Sequence, residues 1–327
     1  MRNRVIVVTG ASAGIGRATA IECARRGARV ALLARRSAGL SAAAAEVERA
    51  GGHALAVAVD VADENAVEAA AERVERELGE IDVWVNNAMA TVFGRFLDLR
   101  PEEFRRATEV TYHGFVWGTL AALRRMAPRN RGTILQVGSA LAYRGIPLQS
   151  AYCGAKHAIQ GFTESVRTEL MHDGVDVRLT MVQLPALNTP QFEWARSRMP
   201  RRAQPVPPIY DPSVAARAIV WAAENERRQL YVGWPTVVAI VGDKFAPGLG
   251  DAYLARTGFA SQQTDEPERL GRPDNLFEPV DGLHATRGRF GDRAHERSLQ
   301  LELNLRRDWL LTATGAALAA LGLSRLR

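Results

Sequence analysis

The chain contains little cysteine, with only Cys23 and Cys153 among its 327 residues. The two thiols lie far apart and show no metal-ligand spacing, so the sequence predicts neither a disulfide framework nor a zinc site. The apolar run at residues 5–8 is too short for a signal peptide and is followed at once by Thr9-Gly10. We therefore expect a cytoplasmic protein in a reducing compartment.

Long runs of one charge are absent as well. Lys and Arg outnumber Asp and Glu by 42 to 36, which gives a net charge of +6, but the excess is spread along the chain. The most evident basic stretches are pairs, at residues 35–36, 124–125 and 201–202, and none is interleaved with aromatic residues. A groove that follows a phosphate backbone needs such an interleaved run, so we expect no nucleic-acid partner.

The sequence also lacks an apolar stretch long enough to span a bilayer. Residues 309–323 carry no charge, but a spanning helix needs about 20 apolar residues and this stretch contains much Ala, Gly and Thr. It is compatible with a helix docked on a neighbouring subunit, a frayed tail, or a membrane-surface anchor. Because arginines flank it, contact of residues 309–327 with a membrane surface stays open.

Short β-branched runs alternate with longer, Ala-rich amphipathic stretches from residue 1 to about residue 185. Strands are predicted at residues 5–8, 30–33, 54–59, 81–85, 133–137 and 177–182, and helices at residues 14–26, 42–50, 64–78, 101–126 and 151–172. Such an alternation requires parallel strands joined by right-handed helical crossovers. We therefore predict an α/β fold with a three-layer, doubly wound sheet.

The pattern changes after residue 185, where prolines become frequent. Long connections of this kind are more often functional lids than linkers, so a lid is predicted at residues 186–212. A helix at 211–224 and a strand near 230–232 then close the sheet. We predict one domain over residues 1–235 and an irregular extension over 236–327, whose stretch 261–298 is either a surface-hugging arm or partly disordered, followed by the apolar helix 309–323.

A glycine-rich turn lies where the first strand meets the first helix. The sequence from Thr9 to Gly16 reads Thr-Gly-Ala-Ser-Ala-Gly-Ile-Gly. Glycines at 10, 14 and 16 permit a tight turn, close backbone approach to a pyrophosphate and tight helix packing, while the helix N-terminus favours an anion. An ordinary glycine-rich turn is the alternative. The position in the first unit of a repeating βα chain favours a dinucleotide site with Gly10, Ser12, Gly14, Ile15 and Gly16.

Two further strand ends agree with a cofactor site. Asp60 ends the third strand, where its carboxylate is placed to accept a hydrogen bond from adenine or to cap a helix. Asn86 and Asn87 end the fourth strand, where an amide can fix a backbone turn under a cofactor or stabilise a loop. We list Asp60 and Asn87 as candidate cofactor-binding residues.

The end of the second strand bears on the choice of nucleotide. An NAD site places Asp or Glu there for the ribose hydroxyls, whereas residues 32–36 read Leu-Leu-Ala-Arg-Arg. A guanidinium pairs well with a 2′-phosphate. We expect Arg35 and Arg36 to favour NADP(H) over NAD(H); a solvated basic turn is the alternative.

Tyr152 and Lys156 stand four residues apart at the start of a predicted helix, which places both on one face. A nearby cation favours a phenolate and brings the tyrosine pKa from about 10 toward the working range of an acid/base catalyst. Ser139 follows the fifth predicted strand at the same edge, where its hydroxyl could orient a substrate oxygen. Together the three residues predict proton chemistry beside the cofactor.

With the glycine turn, Asp60, the Asn pair, Ser139, Tyr152 and Lys156 in this order, the sequence resembles the short-chain dehydrogenase/reductase (SDR) family over residues 4–235. The resemblance implies a Rossmann-type sheet of about seven mainly parallel strands. It implies that Tyr152 is the general acid/base, that Lys156 also binds the nicotinamide ribose and that Ser139 steadies the carbonyl. Thr189 would contact the carboxamide. Family members are commonly homodimers or homotetramers built on two long helices, here 101–126 and 151–172.

The sequence departs from the family pattern at three places. Thr111 stands where the family has a helical Asn that takes part in a proton relay, and its hydroxyl could hold a relay water. Met89 replaces a glycine after Asn86-Asn87-Ala88, which predicts a thioether at the pocket wall. Ala186 replaces a glycine after Pro185, which suggests a stiffer lid hinge. We keep Thr111 as a candidate catalytic residue.

The sequence thus predicts an NADP(H)-dependent oxidoreductase that interconverts a carbonyl and an alcohol by hydride transfer. Predicted pocket walls are Leu141, Tyr143, Leu148, Leu187 and residues 192–199, which favours an apolar or amphipathic small molecule. Two alternatives remain: a nucleotide-binding scaffold or sensor without turnover, and a membrane-associated reductase that modifies lipids.

Overall fold

The computed structural model describes residues 1–35, 38–269, 271–282 and 284–307. Two sequence predictions therefore fall outside the described residues, the role of Arg36 and the apolar helix 309–323. The strands are β1 Val5–Thr9, β2 Arg29–Ala34, β3 His53–Ala58, β4 Ile81–Asn86, β5 Val92–Phe93, β6 Gly132–Val137, β7 Val177–Gln183, β8 Arg196–Ser197, β9 Arg201–Ala203, β10 Ile209–Tyr210, β11 Gln229–Tyr231, β12 Gln263–Pro267 and β13 Ala294–His295.

The helices match most of the periodic segments of the sequence. They are α1 Gly14–Arg25, α2 Ala38–Arg49, α3 Glu64–Leu78, α4 Pro101–Thr108, α5 Gly114–Met126, α6 Ser150–His172, α7 Gln191–Trp194, α8 Pro212–Glu224, α9 Trp234–Phe245, α10 Pro247–Thr257 and α11 Leu299–Leu305. Helix α2 begins four residues before its predicted start, and its first turn buries Gly39 and Leu40.

A seven-stranded parallel sheet forms the centre of the molecule, in the order β11-β7-β6-β4-β1-β2-β3. The chain proceeds outward from β1 to β3 and then returns past β1 to build the other half. This reversal of strand order is the switch point of a doubly wound sheet, where ligands bind beyond the carboxyl ends of the strands. The predicted three-layer, Rossmann-type α/β fold is confirmed.

Both faces of the sheet are covered by helices, because alternate residues of each central strand enter different cores. In β1, Ile6 and Val8 pack into a core that also contains residues of α1, α2 and α8. Val5 and Val7 pack on the opposite face with residues of α3 and α5. Fully buried parallel strands explain why these segments are apolar throughout and do not alternate with polar residues.

The helix predicted over residues 101–126 is interrupted in the structure. A π-helical turn, Glu109–His113, separates α4 from α5. Thr111 lies within this turn and is fully buried. Its hydroxyl donates to the Ala90 carbonyl at 2.8 Å and accepts from the Ala90 amide at 3.0 Å. Single π turns often interrupt helices at functional sites, and this one joins the helix to the loop after β4.

The extension beyond β11 packs on the sheet domain. Helices α9 and α10 are followed by residues 261–298, which we call the arm. Of the two alternatives for this stretch, the structure shows the surface-hugging one in its described part, since β12 pairs with β9 and β13 pairs with β10. Leu276 and Phe290 of the arm are buried. The division into a domain at 1–235 and an extension at 236–327 stays a prediction.

Within the described part of the chain, no helix has both the length and the apolar character that a membrane crossing requires.

Candidate active site

The turn between β1 and α1 has the geometry that its glycines permit. Gly10 and Gly14 have φ angles of +66° and +55°, which side chains other than glycine rarely adopt. At Gly16 a Cβ atom would collide with the Gly10 carbonyl oxygen and lie 2.6 Å from the Asn87 side-chain nitrogen. Glycine is therefore required for α1 to begin this close to the strand.

Asn87 fixes this turn from the neighbouring strand. Its Nδ2 atom donates to the Thr9 carbonyl at 2.9 Å. In return the Thr9 hydroxyl accepts from the Asn87 and Ala88 amides at 2.9 and 3.0 Å. Asn86 does not contact this turn through these bonds; its buried amide donates to the Gln136 side chain at 3.0 Å and to the Thr119 hydroxyl at 3.1 Å. Asn87 thus supports the cofactor turn, and Asn86 ties β4 to β6 and α5.

The ends of β2 and β3 place one cation and one anion at the same cavity. Arg35 donates to the arm, to the Asn275 carbonyl at 2.5 Å and the Phe277 carbonyl at 2.8 Å. Asp60 accepts from the Ala62 amide at 3.1 Å and forms an ion pair with Arg106. Helix α3 is capped by Asp63, so Asp60 is not its N-cap.

Ser139, Tyr152 and Lys156 meet at the ends of β6 and α6. The Ser139 hydroxyl accepts from the Leu141 amide at 3.1 Å, which fixes the loop after β6. The Lys156 ammonium lies 5.6 Å from the centre of the Tyr152 ring and donates to the Val137 carbonyl at 2.7 Å. One helical turn thus brings the phenol and the amine to the same side of α6, as their spacing predicts.

Desolvation dominates the titration of this pair. Burial raises the pKa of Tyr152 above its usual value, against a smaller opposing effect of its hydrogen bond with Ser139. Burial lowers the pKa of Lys156 to about 7. From the sequence, the ammonium is predicted to lower the phenol pKa, but in the structure the phenol pKa is raised. Both groups are removed from water, and burial disfavours a charge on either.

A single cavity of about 400 Å³ joins these groups to the glycine turn. The candidate residues that line it are Gly10, Ser12, Gly14, Ile15, Arg35, Asp60, Asn87, Ser139, Tyr152, Lys156 and Thr189. At Gly14 an added Cβ would come within 3.3 Å of Thr189, so the glycine leaves a cradle between the turn and the lid. The lining fits a dinucleotide laid from Arg35 and Asp60, across the turn, to Tyr152 and Lys156.

Two candidates do not line the cavity. Gly16 packs beneath the turn, and Thr111 bonds to the Ala90 backbone, so both its donor and one acceptor position are already used. A relay role for Thr111 stays a prediction, and the structure gives its hydroxyl a different partner from the one we expected.

The substrate end of the cavity is largely apolar. Leu141, Leu187 and Phe192 line the substrate end as the sequence predicts, and so does Met89. Trp194 lines the cavity nearer Arg35, where its carbonyl accepts from the Asn275 amide at 2.9 Å. Tyr143 and Leu148 do not, since Leu148 is buried and the Tyr143 hydroxyl donates to Gln229 at 2.7 Å. Sequence reasoning missed the residues that the extension contributes to the lining of the whole cavity: Thr236, Ala239, Leu254, Gly258, Ser261, Gln262, Asn275, Pro279, Val280 and His284. No motif marks them.

The fold and this cavity define a dinucleotide-dependent oxidoreductase, and comparison with known proteins identifies its family. A family model described as short chain dehydrogenase matches residues 4–199. The chain is 34% identical over 287 residues to an uncharacterized oxidoreductase, YxnA, of Bacillus subtilis, covering 87% of this chain and 80% of that protein. The chain belongs to the short-chain dehydrogenase family, whose members are NAD(P)-dependent dehydrogenases and reductases with a nicotinamide cofactor.

Two further relatives are informative. The chain is 33% identical over 192 residues to 3-dehydrosphinganine reductase of Danio rerio, which is 57% of this chain and 57% of that protein. The match therefore spans just over half of the relative's length. A crystal structure of a short-chain dehydrogenase from Streptomyces avermitilis superposes with a TM-score of 0.65 at 27% identity, covering 79% of this chain and 98% of that one.

We predict that Lys156 makes the free energy of unfolding rise with pH. Its pKa is about 7 in the folded protein and 10.5 in an unfolded chain, so between these values the unfolded state binds more protons. Burial of the charged amine therefore lowers the free energy of unfolding by its full amount below pH 7 and has no such effect above pH 10.5. Urea unfolding at pH 7, 8 and 9 should show wild type gaining stability relative to Lys156→Met as the pH rises. A constant difference between the two would contradict the burial of a neutral amine.

Proposed function

We propose that the protein is an NADP(H)-dependent oxidoreductase that interconverts a carbonyl and an alcohol on an apolar or amphipathic small molecule. The observation that supports this most strongly is the shared cavity, in which Ser139, Tyr152 and Lys156 face the same space as the glycine turn. The bound nicotinamide supplies or accepts the hydride. What the chain must provide is binding, orientation and one proton.

Tyr152 is the residue that moves the proton. In reduction its hydroxyl donates to the carbonyl oxygen as hydride reaches the carbon, and in oxidation the phenolate takes the alcohol proton. Ser139, whose hydroxyl lies close enough to Tyr152 to lower the phenol pKa, orients the same substrate oxygen. Lys156 lies beside the phenol with a pKa of about 7, where a modest change in its surroundings alters its charge near neutral pH.

The walls support the substrate class. Among the lining residues, the fixed charges other than Lys156 are Arg35 and Asp60, and both lie at the end assigned to adenosine. Polar groups at the other end are uncharged and partly paired with each other, as Gln149 donates to Gln262 at 2.7 Å. Among the lining residues, an acidic or phosphorylated substrate would find no charged partner there other than Lys156, whereas an apolar one would be desolvated at little cost.

The catalytic assignment predicts that Tyr152→Phe lowers kcat/KM about 10²- to 10⁴-fold, because a positioned acid/base contributes about that much. Tyr143→Phe is the matched control, since this tyrosine lies close in sequence but outside the cavity lining. NADPH oxidation would be followed with ketones and aldehydes of increasing chain length. Full activity in the Tyr152 variant, or an equal loss in the Tyr143 control, would reject the role of the phenol.

Arg35 supports NADP(H) over NAD(H). It is the cation at the end of β2, lines the cavity, and has no acidic residue beside it on that strand. Two of its N–H groups donate to the arm, and a guanidinium has five, so donors remain for a 2′-phosphate. Burial lowers its pKa, and the carboxylate of Asp60 opposes this shift. A phosphate would stabilise the same charge.

We predict that Arg35→Ala lowers the ratio of kcat/KM for NADPH to that for NADH about tenfold or more, since hydrogen bonds to charged groups are worth about 1.5–3 kcal/mol. Arg106→Ala is the control, because Arg106 also holds the arm through the Leu276 carbonyl at 3.1 Å. Loosening the arm alone should weaken the binding of both cofactors and leave the ratio of the two kcat/KM values unchanged. A ratio that is the same in both variants would speak against a 2′-phosphate at Arg35.

A second candidate function, a lipid-modifying reductase at a membrane surface, is favoured by α9 and α10. Helix α9 exposes Trp234, Val238, Val241 and Phe245, spaced so that they share one face, and α10 exposes Leu249 and Tyr253. We call these six residues the apolar stripe. The opposite face of α9 lines the cavity through Pro235, Thr236 and Ala239. The stripe therefore lies directly outside the proposed substrate end.

A lipid surface fits the apolar stripe for two further reasons. Helix α11 begins beside α9, since Gln300 accepts from the Gly233 amide at 2.7 Å, and the uncharged residues 309–323 follow α11 in the sequence. The zebrafish relative is named for reduction of a 3-dehydrosphinganine, a ketone on a sphingoid base. An amphipathic ketone could pass from a bilayer to the cavity along α9 and α10.

Binding to lipid vesicles tests this candidate. Phe245→Asp should weaken cosedimentation with vesicles of phosphatidylcholine and phosphatidylglycerol about tenfold, because burial of such a side chain is worth about 1.5–3 kcal/mol. Met171→Asp is the matched control, since Met171 is similarly exposed, at 74% against 84% for Phe245, but lies at the far end of α6. Equal binding of both variants and wild type would exclude the apolar stripe as a membrane contact.

We also propose that the protein forms a homodimer or homotetramer built on the helices at 101–126 and 151–172. We propose further that it is cytoplasmic and peripheral to the membrane. The long helix α6 supports the former, since most of its surface beyond residues such as Ile159 and Thr163 is not buried within one protomer.

A further inference from the structure

The arm crosses the cavity at the end assigned to adenosine. Its residues 275–282, 284 and 285, which we call the roof, start beside Arg35, which donates to the Asn275 and Phe277 carbonyls. They end at the glycine turn, where the Gly14 amide donates to the Ala285 carbonyl at 2.9 Å. The roof therefore runs between the two places where the phosphate groups of a dinucleotide would lie.

Backbone contacts and one buried side chain hold the roof in position. Leu276 is fully buried in the core between the sheet and α3. Arg106 donates to its carbonyl at 3.1 Å, and Arg17 donates to the His284 carbonyl at 3.1 Å. None of these contacts uses the imidazole of His284. A substitution of that side chain should therefore leave the path of the roof unchanged.

His284 points a polar ring into this end of the cavity. The residue lines the cavity, and its ring lies 5.5 Å from the ring of Trp194 and directly on Gly39, where an added Cβ would collide with it. Both ring nitrogens are shielded from solvent, and neither makes a hydrogen bond within the usual distance and angle limits among the described residues. The Val280 backbone lies close enough to raise the ring's pKa but not in position for a well-formed bond. Buried polar atoms without partners are rare in native proteins because they cost free energy.

The surroundings of His284 favour a ligand that accepts hydrogen bonds and carries negative charge. Arg17 and Arg35 contact the two ends of the roof, and Ser12 and Gly14 lie where the glycine turn leads into α1, where the helix dipole favours anions. Burial lowers the pKa of His284, against smaller opposing effects of the Val280 backbone and Asp281, so near pH 7 the neutral ring has one N–H to donate.

We propose that His284 binds the cofactor, donating a ring N–H to a phosphate oxygen in the adenosine half of the dinucleotide, so that the extension completes the cofactor site. This inference rests on the proposed function. The phosphate is either the pyrophosphate, common to both nicotinamide cofactors, or the 2′-phosphate, present in NADP(H) alone.

Direct titration of NADPH and NADH into the full-length protein, followed by tryptophan fluorescence, tests the proposal without relying on turnover. His284→Phe keeps a ring beside Trp194 but has no nitrogen, and should weaken NADPH binding about tenfold. His284→Asn and His284→Gln place an amide N–H near Nδ1 and Nε2 respectively, and one of them should recover most of the affinity. His295→Phe is the control, since His295 is an exposed histidine of the same arm that contacts Tyr210.

The outcomes separate the possibilities. Weaker binding of NADPH alone in His284→Phe assigns the contact to the 2′-phosphate, and weaker binding of both cofactors assigns it to the pyrophosphate. Unchanged affinity for both, or a loss that neither amide variant recovers, would overturn the proposal while leaving the proposed function intact. Wild-type protein that binds neither cofactor would reject the proposed function and this inference with it.

Discussion

The close approach of the β1–α1 turn to the end of β4 is the constraint on which the site depends. Asn87 donates to the Thr9 carbonyl, Thr9 accepts from the amides of Asn87 and Ala88, and Gly16 leaves no room for a Cβ atom between them. This contact joins two neighbouring strands at the switch point of the sheet. It fixes the start of α1, where an anion is favoured, relative to β4 and the loop that leads to Met89. A larger residue at position 16 would displace the helix from the sheet, and the cavity would lose one wall.

Removal from water is the second constraint, and it sets the titration of Tyr152 and Lys156. A phenol and an ammonium one helical turn apart suggest mutual stabilisation of opposite charges. In the folded protein Lys156 is buried against Phe115 and the Val137 carbonyl, and its pKa falls to about 7. Burial also raises the pKa of Tyr152. Burial thus keeps the Tyr152 phenol protonated and lets Lys156 lose its proton more readily than a lysine in water. The free energy that this burial costs must come from the rest of the core.

Much of the sheet and the glycine turn could be predicted from sequence, because their signals are local. A strand buried on both faces is apolar throughout, and a turn with positive φ angles requires glycine at fixed positions. The π turn around Thr111 could not be predicted, because the helical periodicity on either side of it is unbroken and its contact with the Ala90 backbone joins residues twenty-one positions apart. The position of the arm could not be predicted from the sequence either. Its anchors are largely carbonyl oxygens of Asn275, Phe277 and Ala285, which every residue possesses, so its polar composition indicated only a surface segment.

The extension gives the two ends of the cavity different surroundings, and this separates the routes of the two ligands. The arm covers the end near Arg35 and Gly14 with backbone carbonyls, one buried leucine and His284. Helices α9 and α10 form a wall at the other end and turn apolar side chains outward. A charged dinucleotide would find hydrogen-bonding groups at the first end, whereas the second offers an apolar ligand a path with little change in polarity. Under the proposed function, different parts of the same extension would contact cofactor and substrate, so its sequence would bear on both specificities. Ser139, Tyr152 and Lys156, which would carry the proton chemistry, lie in the sheet domain.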